Sequence, residues 1–245
     1  MSSGGEMRSW VGPTLERFAA KQNTVVVYPD GYEGHFNDCR KLASYSARAL
    51  DIDDVGFIRH ITERLVTEKQ ISTEHIYAMG YSNGGHLAFR LAMEAPGLLK
   101  GMVAIAANLP AADSMACRVM GSLPPFVRLV EGTADPINPY DGGQVTLFGF
   151  GNRGNVLSAG ASAQWFANAA GISDASAQPD IKILGSRVQI VQQKDWLSSA
   201  ANVSLITLVG GGNTVPQANY RFRRLLGATL EDAFILESEM SLIQL

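Results

Sequence analysis

The sequence predicts an α/β fold in which a predominantly parallel sheet is covered by helices on both faces. Short apolar, β-branched segments alternate along the chain with longer amphipathic ones, which is typical of parallel sheets buried on both sides. The chain has 245 residues, of which 46% are hydrophobic. A chain of this length can bury a core without a metal or a disulfide. We therefore expect a single domain over residues 1–245.

The first part of the chain is predicted to form two strands and two helices. Residues 24–28 (Thr-Val-Val-Val-Tyr) are a predicted buried strand that ends at a Pro-Asp-Gly turn. Residues 51–69 are a predicted helix, because an acidic first turn is followed by apolar residues at helical spacing. Residues 76–80 form the next predicted strand, and residues 83–94 the next helix, which ends at an Ala-Pro-Gly sequence.

The second part continues the alternation. Residues 102–106 and 125–130 are predicted strands, and residues 161–170 a helix. The glycine-rich segment 142–160 has no clear period, so we expect a long loop over one end of the sheet. The last predicted elements are strands at residues 188–191 and 203–209 and a closing helix at residues 229–239.

Composition argues against several classes of protein. The net charge is −3 and no cluster of Lys and Arg is present, which argues against a nucleic-acid or anionic-membrane binder. No apolar run approaches the ~20 residues of a membrane span, and the first residues do not have the pattern of a signal peptide. Cys39 and Cys117 have neither zinc-site nor redox-motif spacing. We favour two unpaired thiols, with one disulfide as the alternative.

One motif carries recognisable chemistry. Gly80-Tyr81-Ser82-Asn83-Gly84 matches G-x-S-x-G and lies directly between a predicted strand and a predicted helix. A serine at such a turn is held in a strained conformation, with its hydroxyl projecting from the carboxyl edge of the sheet. The backbone N–H of Asn83 then points to where an oxyanion would form. We predict that Ser82 is a nucleophile; the alternative is a glycine-rich turn without chemistry.

A serine nucleophile needs a base, and the base needs an orienting acid; in this arrangement the acid and then a histidine follow the serine in the chain. Asp135 is placed for the acid, because it follows the strand predicted at residues 125–130 in a Gly-Thr-Ala-Asp-Pro turn. A turn-forming aspartate is the alternative. A histidine is expected after the last strand, but none is present there. All four histidines precede Asp135: His35, His60, His75 and His86.

Taken together, these motifs resemble the poly(3-hydroxybutyrate) depolymerase and feruloyl or acetylxylan esterase-like branch of the α/β-hydrolases. The resemblance implies an α/β-hydrolase fold and a serine carboxylesterase that works through an acyl-enzyme. It makes Ser82 the catalytic serine and Asp135 the catalytic aspartate. The similarity extends over about residues 4–238, with its markers at residues 26–31, 37–38, 53–57, 80–85, 132–136, 139–140 and 210–214.

The chain departs from this family at the general base. The family's final motif is three glycines followed by His and Thr, whereas this chain has Asn213 in the histidine position. An amide cannot take up a proton near neutral pH, although it can still make hydrogen bonds. Losing one triad member costs on the order of 10⁴–10⁶ in turnover in serine hydrolases. We therefore expect impaired activity; a single substitution of the base, natural or engineered, is the simplest account.

A second departure concerns the beginning of the chain. Family members begin with an apolar strand that ends in His-Gly and leads into a glycine-rich loop, and this chain is expected to begin inside that loop, with N-terminal strands missing. The missing strand would lie between residues 24–28 and 76–80. We expect these two strands to close the gap, or another segment or subunit to fill it. The second oxyanion donor normally comes from this loop, and Ser3 is the nearest candidate.

The loop after the first predicted strand is the candidate substrate-binding segment. In the family this loop shapes the pocket, so the resemblance implies substrate contacts from His35, Asn37 and Asp38; a plain Asx turn is the alternative. Two other functions remain open: a non-catalytic hydrolase-like binding protein, and an active esterase that uses His35 or His86 as its base.

The resemblance also bears on cofactors and partners. It implies that the protein uses no metal and no organic cofactor. It also implies a small-molecule or polymeric ester as the substrate. We expect no nucleic acid and no membrane as partner, and a homo-oligomer remains open. Family members are often secreted, but no signal-peptide pattern is found at the start of this sequence, so we predict no compartment.

Overall fold

The computed structural model describes residues 3–173, 181–184, 190–217 and 220–231. The main strands are β1 (Tyr77–Tyr81), β2 (Gly101–Ile105), β3 (Phe126–Gly132), β6 (Ile181–Leu184), β7 (Ile190–Leu197) and β8 (Asn202–Leu208). Over these residues they form a six-stranded sheet in the order β1-β2-β3-β8-β7-β6. The first four strands in that order are parallel, and β7 and β6 are each antiparallel to their neighbours. The predicted α/β fold with a predominantly parallel sheet is confirmed.

Three of the five α-helices in the described residues lie close to their predicted positions, whereas the helices at residues 4–21 and 46–49 were not predicted. The five are α1 (Gly4–Lys21), α2 (Ser46–Ala49), α3 (Asp54–Lys69), α4 (Asn83–Glu94) and α5 (Ala159–Ala169). The bounds of α4 are those predicted. α3 begins later than predicted, because the Asp53 carboxylate accepts the Gly56 N–H at 2.8 Å and caps the helix there.

The structure also bears on the predicted loop at residues 142–160 and on the predicted closing helix at residues 229–239. The segment at residues 142–160 contains a short antiparallel pair, β4 (Gly143–Gln144) and β5 (Asn155–Val156), rather than only a loop. Of the predicted closing helix, residues 229–231 are not helical, and residues 232–239 lie outside the described residues.

The core is divided between the two faces of the sheet. β2 is buried along its whole length, and alternate residues of a strand point to opposite faces. Met102 and Ala104 pack in a cluster that includes Phe89 of α4, whereas Ile105 packs in a second cluster with Val11 of α1. Helices therefore cover both faces, as the continuous apolar strands predict.

The strand predicted at residues 24–28 is not formed. These residues pair with no described strand, and β1 is the edge of the sheet. Val25 and Val27 are 49% and 43% exposed, and Thr24 is tied to α1 through its N–H, which donates to the Ala19 carbonyl at 3.0 Å. The prediction is wrong because a strand needs a hydrogen-bonded neighbour. The expectation that the two segments close the gap is also wrong.

Cys39 and Cys117 form a disulfide, with their Cα atoms 5.0 Å apart. The favoured expectation of two unpaired thiols is therefore wrong. The pairing depends on two loops that lie side by side: the Lys41 N–H donates to the Ser114 carbonyl at 2.8 Å, and the Ala116 N–H donates to the Cys39 carbonyl at 2.8 Å. The spacing of the two cysteines along the chain does not indicate that these loops are adjacent.

We expect removal of the disulfide to destabilise the fold strongly. The bond joins residues 78 positions apart, and closing a loop of that length stabilises a protein by about 4.5 kcal/mol in the chain-entropy account. The double variant Cys39→Ser/Cys117→Ser should lose about that much free energy of unfolding in urea titrations followed by circular dichroism.

Dithiothreitol provides the control for this prediction. It should lower the stability of the unmodified chain and leave that of the double variant unchanged. Equal stability of the oxidised chain and the double variant would contradict the prediction.

Candidate active site

Ser82 lies at the sharp turn between β1 and α4. It has φ +52° and ψ −114°, a strained conformation for a residue with a side chain. Its N–H donates to the Ile105 carbonyl at 2.8 Å and so fixes the turn to the end of β2. A Cβ at Gly80 would collide with the backbone of Gly84, which explains why glycine is required there. The turn has the geometry predicted from the motif.

Asn83 connects this turn to the neighbouring loop. Its backbone N–H belongs to the first turn of α4, where N–H groups have no partner within the helix. Its side chain is buried and makes three bonds: Oδ1 accepts the Phe36 N–H at 2.7 Å, and Nδ2 donates to the Phe36 carbonyl at 3.0 Å and to Asp38 Oδ2 at 2.6 Å. The side chain therefore holds the loop around Phe36 against the serine turn.

Asp135 and Asn213 are in direct contact. Asp135 follows β3, and its Oδ1 accepts the N–H groups of Ile137 and Asn138, each at 2.8 Å. Its Oδ2 accepts a hydrogen bond from Asn213 Nδ2 at 2.7 Å. Asn213 lies in the loop after β8 and is buried, with its N–H donating to the Leu226 carbonyl at 2.7 Å. The structure thus brings together the predicted acid and the residue in the base position.

Tyr81, which sequence reasoning did not select, completes this cluster. Its hydroxyl lies 2.7 Å from the Asn213 carbonyl oxygen and 3.0 Å from Asn213 Oδ1. The Asn213 side chain is consequently held at both ends, by Tyr81 at its oxygen and by Asp135 at its nitrogen. Burial and the charge of Asp135 raise the pKa of the Tyr81 phenol, so it stays a hydrogen-bond donor. The motif places Tyr81 beside Ser82 but does not indicate this contact.

The carboxyl groups at the end of β3 are strongly perturbed. Burial raises the pKa of Asp135 to about 6, against the opposing effect of its bonds from Asn138, Ile137 and Asn213. Glu131, also missed from sequence, is fully buried and accepts the Ala107 N–H at 3.0 Å. Burial raises the pKa of Glu131 well above its usual range. Both shifts follow from burial of carboxylates for which the described residues supply no cationic partner.

Ser3 has a different role from the one expected. It is the N-cap of α1: its Oγ accepts the Glu6 N–H at 3.1 Å, and its own N–H donates to Glu6 Oε2 at 2.9 Å. This reciprocal capping box begins a helix where a glycine-rich loop was expected. Because the Ser3 N–H is already bonded, the structure assigns it a capping function instead of an oxyanion contact.

Asn37 and Asp38 are fully buried and bonded inside the protein. Asn37 Nδ2 donates to Asp51 Oδ1 and to the Ile52 carbonyl, each at 3.0 Å. Asp38 pairs with Arg40 at 2.5 Å. Burial raises the pKa of Asp38, but the charge of Arg40 and its hydrogen bonds, with a smaller effect of His86, together lower that pKa below its usual value. These bonds give both residues a structural role, so their predicted substrate contacts find no support in the geometry.

The two histidines considered as substitute bases differ in their surroundings. His35 is half-buried, and its ring stacks on Tyr45 with centroids 4.1 Å apart. His86 is buried in α4, and its Nδ1 has no hydrogen-bond partner in the described structure. Burial, and then the Arg40 charge, lower the pKa of His86 to about 3. A group with that pKa is a weak proton acceptor at neutral pH.

Within the described residues no group of three or more His, Cys, Asp or Glu side chains is arranged to hold a metal ion. None of the helices described there is long and apolar enough to cross a membrane.

Comparison with known proteins gives distant homology to an esterase. No family model matches the sequence. The protein named "Putative esterase NocK" from Nocardia uniformis subsp. tsuyamanensis is 29% identical over 187 residues, which are 72% of this chain and 53% of that protein. The chain therefore spans about half the length of this relative. The homology and the mostly parallel sheet are together consistent with an α/β-hydrolase core.

The perturbed Asp135 predicts a pH-dependent stability. Its pKa rises from 3.8 to about 6 on folding, so the folded state holds the proton more tightly and loses this contribution as pH rises through about 6. Between about pH 4.5 and 7.5 the loss from this group amounts to about 2 kcal/mol. Urea unfolding at these two pH values should show a smaller decrease for Asp135→Asn than for the unmodified chain.

The matched control for this measurement is Asp113→Asn, because Asp113 is exposed. This variant should retain the full pH-dependent decrease. The same decrease in Asp135→Asn as in the unmodified chain would show that Asp135 does not titrate in this range.

Proposed function

We propose that this chain is a serine carboxylesterase of the polyester depolymerase and feruloyl or acetyl esterase-like type, impaired because Asn213 holds the base position. The observation that carries the proposal is the hydrogen bond of 2.7 Å between Asn213 Nδ2 and Asp135 Oδ2. An imidazole at position 213 would offer its Nδ1–H to the same carboxylate. The distant relationship to a protein named as an esterase supports ester hydrolysis in the coarser sense.

In the intact mechanism, the Ser82 hydroxyl oxygen attacks the ester carbonyl carbon and its proton passes to a base at position 213. Asp135 orients that base and stabilises its charged form. The Asn83 N–H donates to the oxyanion of the tetrahedral intermediate. Collapse of this intermediate breaks the bond to the alcohol, which leaves with the proton from the base. Water, activated by the same base, then releases the acid from Ser82.

Asn213 can carry out only part of this role. Its side chain keeps the bond to Asp135 and accepts one from Tyr81, so the geometry of the site is supported. The amide has no nitrogen that takes up a proton near neutral pH. Proton transfer from Ser82 therefore lacks an acceptor, and turnover is reduced on the order of 10⁴–10⁶ relative to an intact triad.

The same amide, bonded to both Asp135 and Tyr81, favours a second candidate function, a binding protein that retains an ester-binding cleft without turnover. A third candidate, an esterase with a substitute base, is less well supported. His86 is buried with a pKa lowered to about 3, and burial also lowers the pKa of His35.

The decisive test is restoration of the histidine. Asn213→His should raise kcat for p-nitrophenyl acetate by several orders of magnitude, because it supplies the missing proton acceptor at the position that Asp135 orients. Ser82→Ala in the same background should abolish the gain.

Asn213→Ala is the matched control, because it removes the amide without supplying a base, and it should produce no gain. If Asn213→His stays folded by circular dichroism and hydrolyses no faster, the esterase proposal is wrong. In that case, saturable binding of an ester without turnover would favour the binding protein. Loss of residual activity on His35→Ala or His86→Ala would instead favour a substitute base.

A further inference from the structure

We infer that Tyr81 is a positioning residue for position 213: its hydroxyl sets the orientation of that residue relative to Asp135 and ties the loop after β8 to the serine turn. The effect on catalysis rests on the proposed function above, whereas the orientation of the Asn213 amide does not depend on it. The Tyr81 hydroxyl bonds to residue 213 and is assigned no contact with substrate. It acts through residue 213.

The hydrogen bonds fix the direction of the Asn213 side chain. The Tyr81 hydroxyl is within 2.7 Å of the Asn213 carbonyl oxygen and 3.0 Å of Oδ1, and a phenol has a single hydrogen to donate. Both possible acceptors are oxygen atoms of Asn213, so the phenol donates its hydrogen to Asn213 whichever of them it bonds to. On the other side, the Asp135 carboxylate accepts from Nδ2 at 2.7 Å. A flipped amide would turn its oxygen toward the carboxylate and lose the bond to Asp135, and the phenol could then donate only to the Asn213 backbone carbonyl.

The position of the hydroxyl is determined by β1 and by an aromatic cluster that packs around the ring. Tyr81 is the last residue of β1, and its ring packs edge-on against Phe222 with centroids 5.8 Å apart. Phe222 in turn packs against Trp10 and Tyr220, with centroids 5.0 Å and 5.1 Å away. The strand and this aromatic cluster therefore hold the phenol in place. The phenol can therefore position residue 213 through the hydrogen bond to its carbonyl oxygen.

An imidazole at position 213 would keep part of this arrangement. With its Nδ1–H directed at Asp135, it has no acceptor atom where Asn213 Oδ1 now lies, so Tyr81 would hold only the backbone carbonyl. That bond still places the residue that carries the base. Without it the base should spend less time against Asp135, and a small misplacement of a catalytic group lowers the rate more than it weakens substrate binding.

The catalytic arm uses Asn213→His as the parent. Adding Tyr81→Phe should lower kcat for p-nitrophenyl acetate about tenfold, with KM changed by less than about twofold. The acid limb of the kcat/KM profile should move to lower pH, since an imidazole less firmly paired with a carboxylate has a lower pKa. A merely structural loss would reduce the amount of folded enzyme without moving this limb.

Tyr77→Phe is the matched control, on the same strand. No hydrogen bond of the Tyr77 hydroxyl occurs among the described residues, and Tyr77 is partly buried like Tyr81. This variant should leave both kcat and the pH profile of the parent unchanged. An effect of Tyr81→Phe no larger than that of Tyr77→Phe would overturn the inference.

A second arm needs no activity and uses the chain with Asn213 in place. The side-chain NH₂ signals of Asn213 in ¹H–¹⁵N spectra can be identified by their loss in Asn213→Ala. Tyr81→Phe should shift or broaden them, because the amide is no longer held at its oxygen, and Tyr77→Phe should leave them in place. Unchanged signals in Tyr81→Phe would overturn the orienting role. An inactive Asn213→His would instead count against the esterase proposal alone.

Discussion

The strained backbone of Ser82 is the constraint on which the rest of the site depends. A positive φ at a residue with a side chain persists only where its surroundings enforce it. Here the N–H bond to Ile105 fixes the turn to β2, and the glycine at position 80 leaves room for the start of α4. The start of α4 then places Asn83, whose side chain holds the loop at Phe36. The conformation of Ser82 is thus connected to three segments: the end of β2, the start of α4 and the loop at Phe36.

Sequence reasoning succeeded where the cause of a structure is local. The bounds of α4 and the turn at Ser82 follow from apolar periodicity and from glycines within a few residues, and the position of Asp135 follows from the strand before it. The failures concern contacts between distant segments. Residues 24–28 have the composition of a strand but lack a neighbour, the disulfide depends on two adjacent loops, and the contact of Tyr81 with Asn213 joins segments 132 residues apart.

Electrostatics explain why position 213 matters beyond the transfer of a proton. Asp135 lies at the end of β3 with Glu131 on the same strand, and burial raises the pKa of both carboxyl groups. A histidine at position 213 would present a cation to Asp135 when it takes up the serine proton, and this would favour the ionised carboxylate. A neutral amide stabilises that carboxylate only through one hydrogen bond. Burial therefore raises the pKa of Asp135 to about 6, and the hydrogen bonds that Asp135 accepts oppose this rise only in part.

The hydrogen bonds that hold residue 213 in place do not involve the atom that would accept the proton from Ser82. Asn213 Nδ2 occupies the role of an imidazole Nδ1–H toward Asp135, and its backbone carbonyl accepts from Tyr81 whatever the side chain. Neither bond involves the second imidazole nitrogen, for which asparagine has no equivalent. A substitution at this position can therefore remove the proton acceptor while leaving the loops in place. The contact between Asp135 and residue 213 is therefore maintained by hydrogen bonds that do not require a proton acceptor.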